Sequence, residues 1–71
     1  MQQQTYTAVV KRDAGYWIGW IEEVAGVNCQ ETSRDELLES LRVTLAEAIE
    51  FNRAEALGAA GNSYEELPIA V

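Results

Sequence analysis

GYWIGWIEEVAGVNCQETSRDELLESLRVTL, residues 15–45, holds a strand, a turn, a second strand and a helix start within one stretch. Tyr16–Ile21 places Tyr16, Trp17, Ile18, Trp20 and Ile21 in six positions, so both faces of this strand are apolar. A single amphipathic helix follows, and one helix covers one face of a sheet. The second apolar face needs another cover, which points to a chain that binds protein.

Upstream, residues 5–11 (TYTAVVK) are rich in β-branched and aromatic side chains and read as the first strand. Gln2–Gln4 reads as a frayed polar lead-in. Arg12-Asp13-Ala14-Gly15 supplies turn chemistry, with Asp early and Gly last. A four-residue loop there sets Lys11 opposite Tyr16, Val10 opposite Trp17, Ala8 opposite Gly19 and Tyr6 opposite Ile21. The last six of these share one apolar face with a small centre, Ala8 across from Gly19. A helix can lie close over that centre, so this face is assigned to the core. The other face carries Thr5, Thr7, Val9 and Lys11 beside Tyr16, Ile18 and Trp20, a surface half-solvated or covered by a partner. A loop of different parity reverses the two faces.

Downstream, residues 22–26 (EEVAG) read as a turn closing at Gly26, and residues 27–31 (VNCQE) as a short third strand. Ser33 and Glu36 make the S-x-x-E capping box that opens a helix, with Asp35 and Glu36 at the positive end of its dipole. The periodicity predicts a helix over residues 34–56, with Leu37, Leu38, Leu41, Leu45, Ala48 and Ile49 on one stripe. Glu39–Arg42 and Glu50–Arg53 are spaced for pairing. Val43 lies outside the stripe and Phe51 flanks it, with Glu47 between them at four-residue intervals, so the three are candidates for an intersubunit contact. A helix of this length outruns strands of six or seven residues, and its last turns overhang the sheet.

Gly58 and Gly61-Asn62 are expected to end the helix. Residues 64–71 (YEELPIAV) alternate Leu67, Ile69 and Val71 like a strand, and Pro68 confines that strand to an edge. The expectation is one domain over residues 1–71. Its class is α+β, an antiparallel sheet with one long helix packed on one face, in the order β-β-β-α-β.

Seventy-one residues leave room for one small core, and such domains often gain stability by oligomerising. Twelve acidic against five basic residues give a net charge of −7, which argues against direct nucleic-acid binding and suits a basic protein partner. No stretch approaches the length of a membrane span, and MQQQTYT has neither the basic flank nor the apolar run of a signal peptide. The one cysteine fits a reducing compartment, so the expected location is cytoplasmic.

Catalytic equipment is sparse. With no histidine, imidazole catalysis and histidine metal sites are excluded. Cys29 reads as a strand cysteine packed in the core, because no neighbour in sequence lowers its pKa. Glu22-Glu23 and Glu65-Glu66 read as solvated acidic pairs, since a hard-cation site needs several converging oxygens. The glycines match neither G-x-G-x-x-G nor a P-loop. The expectation is therefore no enzyme, no cofactor and no metal. A base-stacking platform of Tyr16, Ile18 and Trp20 needs a basic surround, but only Lys11 and Arg12 lie near, against Glu22 and Glu23. A protein interface is the better reading, with Tyr16, Ile18, Trp20, Val43, Glu47 and Phe51 as its partner-binding residues.

Residues 15–49 resemble the HicB-like antitoxin family, whose pattern is an aromatic strand after a Gly turn, a P-E-L-P-G-C-type loop, a T-Q-G-D-T-type segment and a helix rich in Glu, Ala and Leu. The matching residues are Gly15-Tyr16-Trp17, Gly19, Glu23, Gly26, Gln30, Thr32, Glu36-Leu37, Leu41 and Ala48-Ile49. Glu22 and Ala25 stand where the family usually has prolines, Val27 where it has Cys and Glu31 where it has Gly. Many members carry a C-terminal DNA-binding domain; a short form without one is expected here, so operator binding is not carried over. The resemblance implies a degenerate ribonuclease-H-like fold without catalytic residues. It also implies a homo-oligomer, a dimer or tetramer, that neutralises a small basic HicA-like ribonuclease toxin by covering it. A stand-alone homo-oligomer with no toxin is the alternative, and a carboxylate-dependent metal hydrolase is a distant third.

Overall fold

A computed structural model describes residues 5–71; the lead-in expected over residues 2–4 lies outside them. Three strands, β1 (Ala8–Asp13), β2 (Tyr16–Ile21) and β3 (Asn28–Glu31), form an antiparallel meander in the order β1-β2-β3. One helix, α1 (Arg34–Ala60), packs across it. The class is α+β with the order β-β-β-α.

The β1–β2 connection corrects the expected loop. Ala14 and Gly15 alone make the turn, with φ of 52° and 86°. Positive φ at both central residues is the geometry whose twist matches the flanking strands of a two-residue hairpin. Asp13 therefore faces Tyr16, Lys11 faces Ile18, Val10 faces Gly19 and Ala8 faces Ile21. β1 starts three residues and ends two residues later than expected, and the register moves by two. A shift of two conserves side-chain parity, so the face assignment stands.

Ala14 holds a left-handed conformation that costs an L-residue with a Cβ roughly 1–2 kcal/mol. Asparagine tolerates it better, and Asn-Gly is the favoured pair in such turns. Ala14→Asn is expected to raise stability by about 0.5–1 kcal/mol, seen as a higher urea midpoint at unchanged slope. An unmoved or lower midpoint would contradict the turn assignment.

On the inner face Ile21, Val27, Leu37 and Leu41 are buried. Tyr6, Val10, Trp17, Val24, Cys29, Leu45 and Ala48 pack around them. Val27 lies just outside β3, which begins one residue later than the sequence suggested. Two side-chain hydrogen bonds tie β3 to the helix: Ser40 Oγ donates to Glu31 Oε2 at 2.7 Å, and Cys29 Sγ to Thr44 Oγ1 at 3.5 Å.

The helix starts as its cap chemistry requires. Ser33 Oγ accepts from the Glu36 N–H at 3.1 Å, and the Leu37 N–H donates to the Ser33 carbonyl at 3.0 Å. Its end differs from expectation, running to Ala60 with Gly58 inside. The neighbours Ala54, Ala56, Leu57, Ala59 and Ala60 are strong helix formers, which offset the roughly 1 kcal/mol that one internal glycine costs. Gly61 closes it at φ 72°, its N–H donating to the Leu57 carbonyl at 3.2 Å.

At 27 residues the helix is about 40 Å long, against about 20 Å for the six-residue β2. Ala48 is the last helical residue packed on the core, so residues 49–60 project roughly 18 Å beyond it. The expected overhang is present and longer than anticipated.

No strand forms over residues 61–71, where a fourth was expected. The chain turns at Gly61 and Ser63, then runs back until Glu66 Oε1 lies 3.6 Å from an Arg53 guanidinium nitrogen. Arg53 thus pairs with Glu66 and not with Glu50 as its spacing suggested, whereas Glu39–Arg42 forms at 2.6 Å. The alternation of Leu67, Ile69 and Val71 is present, but the overhang carries these residues away from the sheet and all three are exposed. The result is elongated, with extents of 50 × 22 × 17 Å. Its radius of gyration is 15.1 Å, against about 11 Å for a compact domain of this length.

Candidate functional site

Among the described residues, and apart from the exposed tail, two apolar surfaces are left uncovered, and they lie on opposite sides of the two-layer structure. The first is the outer face of the sheet. Its cross-strand rows are Val9–Trp20–Asn28 and Lys11–Ile18–Gln30, with Asp13 and Tyr16 at the hairpin end. Alternation puts these residues outward because Trp17, Gly19 and Ile21 point to the helix. Tyr16 and Trp20 keep 45% and 37% of their surface in solvent, and Ile18 is half-buried. An open depression of about 310 Å³ runs between β2 and β3, lined by Ile18, Gly19, Trp20, Asn28, Cys29 and Gln30.

Tyr16, Ile18 and Trp20 thus share one face, as their spacing implied. Asn28 and Gln30 join them, and sequence reasoning missed both. The signal was there in the alternation about Cys29: if that thiol packs inward, its two neighbours point outward.

The second surface is the outward side of the helix. Val43 is two residues from Leu41, or 200° around the helix, and so faces away from the sheet. Glu47 and Phe51 follow at one-turn steps. Val43 is 41% exposed, Phe51 is 64% exposed and Glu47 is exposed. These three do not meet Tyr16, Ile18 or Trp20, because sheet and helix stand between them. Phe51 also lies beyond the last residue that the core supports.

The two surfaces differ in charge. Residues 43–71 hold five acids, Glu47, Glu50, Glu55, Glu65 and Glu66, against one base, Arg53. The sheet's outer face holds Lys11 and Asp13, which offset each other, and Glu22, next in the alternation after Trp20, leaves it at a net −1. At the far end of the inner face the Arg12 guanidinium sits 5.7 Å from the centroid of the Trp17 ring, so this base is occupied by an aromatic neighbour.

Of the acidic pairs, Glu23 has a structural role. Its Oε1 accepts from the Thr7 N–H at 2.8 Å, tying the β2–β3 loop to the start of β1. That hydrogen bond holds its carboxyl below the ordinary 4.5. A depressed folded-state pKa contributes stability that is present above the unfolded value and fades as pH falls through the folded one. Glu23→Gln is therefore expected to flatten the acid limb of a thermal-stability profile below about pH 4.5 while leaving the neutral arm's slope intact. An acid limb identical to that of the parent chain would refute this.

Among the described residues no group of three or more His, Cys, Asp or Glu side chains is placed to hold a metal ion. No helix among them is long and apolar enough to cross a membrane. No family model, no curated protein sequence and no solved structure matches the chain.

Proposed function

We propose that the chain is a cytoplasmic, non-enzymatic protein-binding module of the HicB-like antitoxin type, which neutralises a small basic ribonuclease by covering it. The observation that supports this most directly is the helix half beyond Ala48. It is acidic, it displays Phe51, and it lies beyond the sheet, with the returning tail touching it at Arg53 and leaving Phe51 64% exposed. Glu47, Glu50 and Glu55 steer a basic partner in, and Val43 and Phe51 give it an apolar anchor. The finer fold reading belongs with this proposal: a degenerate ribonuclease-H-like domain whose fourth strand, from Leu67, Ile69 and Val71, is completed only in an assembly. The experiment is to express the product of a small basic reading frame adjacent to this gene and assay its RNA cleavage with and without the chain. Suppression at one-to-one stoichiometry, lost on Glu47→Lys combined with Phe51→Ser, supports the reading. Cleavage unaffected by excess chain sinks it.

A second reading, a stand-alone homo-oligomer of the same fold, is favoured by surface area. The chain exposes 5980 Å², whereas a compact protein of 7.9 kDa exposes about 4,400 Å². The excess of about 1,500 Å² exceeds the roughly 800 Å² that each partner buries in an interface of standard size. Light scattering that returns a monomer would remove this reading.

A further inference from the structure

Charge separates the occupants of the two uncovered surfaces. We infer that the outer face of the sheet binds the same face of a second copy of this chain, leaving the acidic helix half free. This rests on the self-association reading above and names the surface that carries it.

Two copies at −7 each repel, and the repulsion is worst where residues 43–71, at a net −4, are brought together. The outer sheet face, at a net −1 with Glu22 at its edge, is where two copies meet with the smaller surplus of like charge. Lys11 and Asp13 sit at its margin and cancel within each copy, so neither sets a like charge against the other copy unanswered. Asn28 and Gln30 each carry both donors and acceptors, so an amide row is complementary to itself. Trp20 and Ile18 stand in the middle, beside a depression that can receive the other copy's aromatic.

Pairing edge to edge is disfavoured. β1 carries Lys11, Arg12 and Asp13 along its length, and β3 has only four residues. The surface excess accommodates one standard interface per copy and leaves several hundred Å² for another partner.

The test is sedimentation equilibrium over a wide concentration range on the full chain and three variants, with a thermal melt of each. The parent is expected to be a dimer. Gln30→Lys alters an exposed side chain away from the core and lowers the net negative charge, yet it sets like charges across the two-fold. It is expected to weaken the dimer at least tenfold, or about 1.4 kcal/mol. Trp20→Ser is expected to give a monomer and Phe51→Ser a dimer like the parent. Should Trp20→Ser fail to fold, Gln30→Lys decides alone. A dimer indifferent to Gln30→Lys, or dispersed by Phe51→Ser, overturns the sheet-face assignment while self-association stands. A monomeric parent overturns both. Suppression of the basic ribonuclease by the Gln30→Lys chain is read separately, so loss of the dimer is not confused with loss of the antitoxin reading.

Discussion

Leu37→Ala is expected to lower stability by roughly 3–5 kcal/mol, enough to leave much of the chain unfolded at ambient temperature. A 71-residue domain holds only about 4–10 kcal/mol in total. Leu37 is completely buried and, with Leu41, forms the helix side of the four-residue buried core. In a larger protein neighbours relax into such a vacancy. Here the wall opposite is backbone at Gly19, which has no side chain to move in. Urea unfolding monitored by tryptophan fluorescence provides the measurement, since Trp17 packs against the same core. A loss under 1 kcal/mol would mean that the helix is not seated on the sheet at this point.

Gly19→Ala is expected to cost roughly 2–3 kcal/mol although it adds only a methyl group. A Cβ built there lies 2.9 Å from the Val9 carbonyl oxygen, 3.0 Å from Leu41 Cδ1 and 3.2 Å from Leu37 Cδ2. The leucine tips can rotate; the carbonyl cannot, because it belongs to the adjacent strand. Adding Leu41→Ala to Gly19→Ala removes one of the three collisions, so the pair should cost less than the sum of the singles. Strict additivity of the two losses would show that helix and strand do not touch here.

These two residues also mark how much of the fold was legible in the sequence. The placing of Gly19 on the inner face and that of the leucine stripe over it were readable from spacing alone, because both depend on side-chain parity; the partner across from Gly19 was not, and is Val10 where Ala8 was expected. The turn was not. Ala14 in a left-handed conformation carries no composition signal, and Arg12-Asp13-Ala14-Gly15 equally suits a longer loop. The error was an even number of residues, which is why the faces survived it. The helix end was misread because Gly58 is a stop signal only when the residues after it are poor helix formers, and Ala59 and Ala60 are not. The fourth strand was misread for a different reason. Alternation at Leu67, Ile69 and Val71 states what could pair, while the reach of the helix determines whether anything lies opposite.

Of the candidate site residues, exposure at Tyr16 and Trp20 followed from counting apolar faces against available covers, and exposure at Val43 and Phe51 from their place off the leucine stripe of the helix. That Asn28 and Gln30 complete the sheet surface follows by alternation once Cys29 is read as a core residue of the third strand, a step that the aromatic row of β2 overshadowed.

The length of the helix past the core has a consequence for amide exchange. Residues 34–48 owe their hydrogen bonds partly to packing on the sheet, whereas residues 49–60 rely on propensity, on continuity with the docked half and on the exposed Arg53–Glu66 contact with the tail. An isolated helix of about a dozen residues is marginal in water. Deuterium uptake should therefore rise along the helix, slow at Leu41 and fast beyond Phe51, as in local rather than global opening. Slow uptake persisting to Leu57 in dilute solution, and unchanged by Glu66→Gln, would mean that another molecule holds those final turns in place.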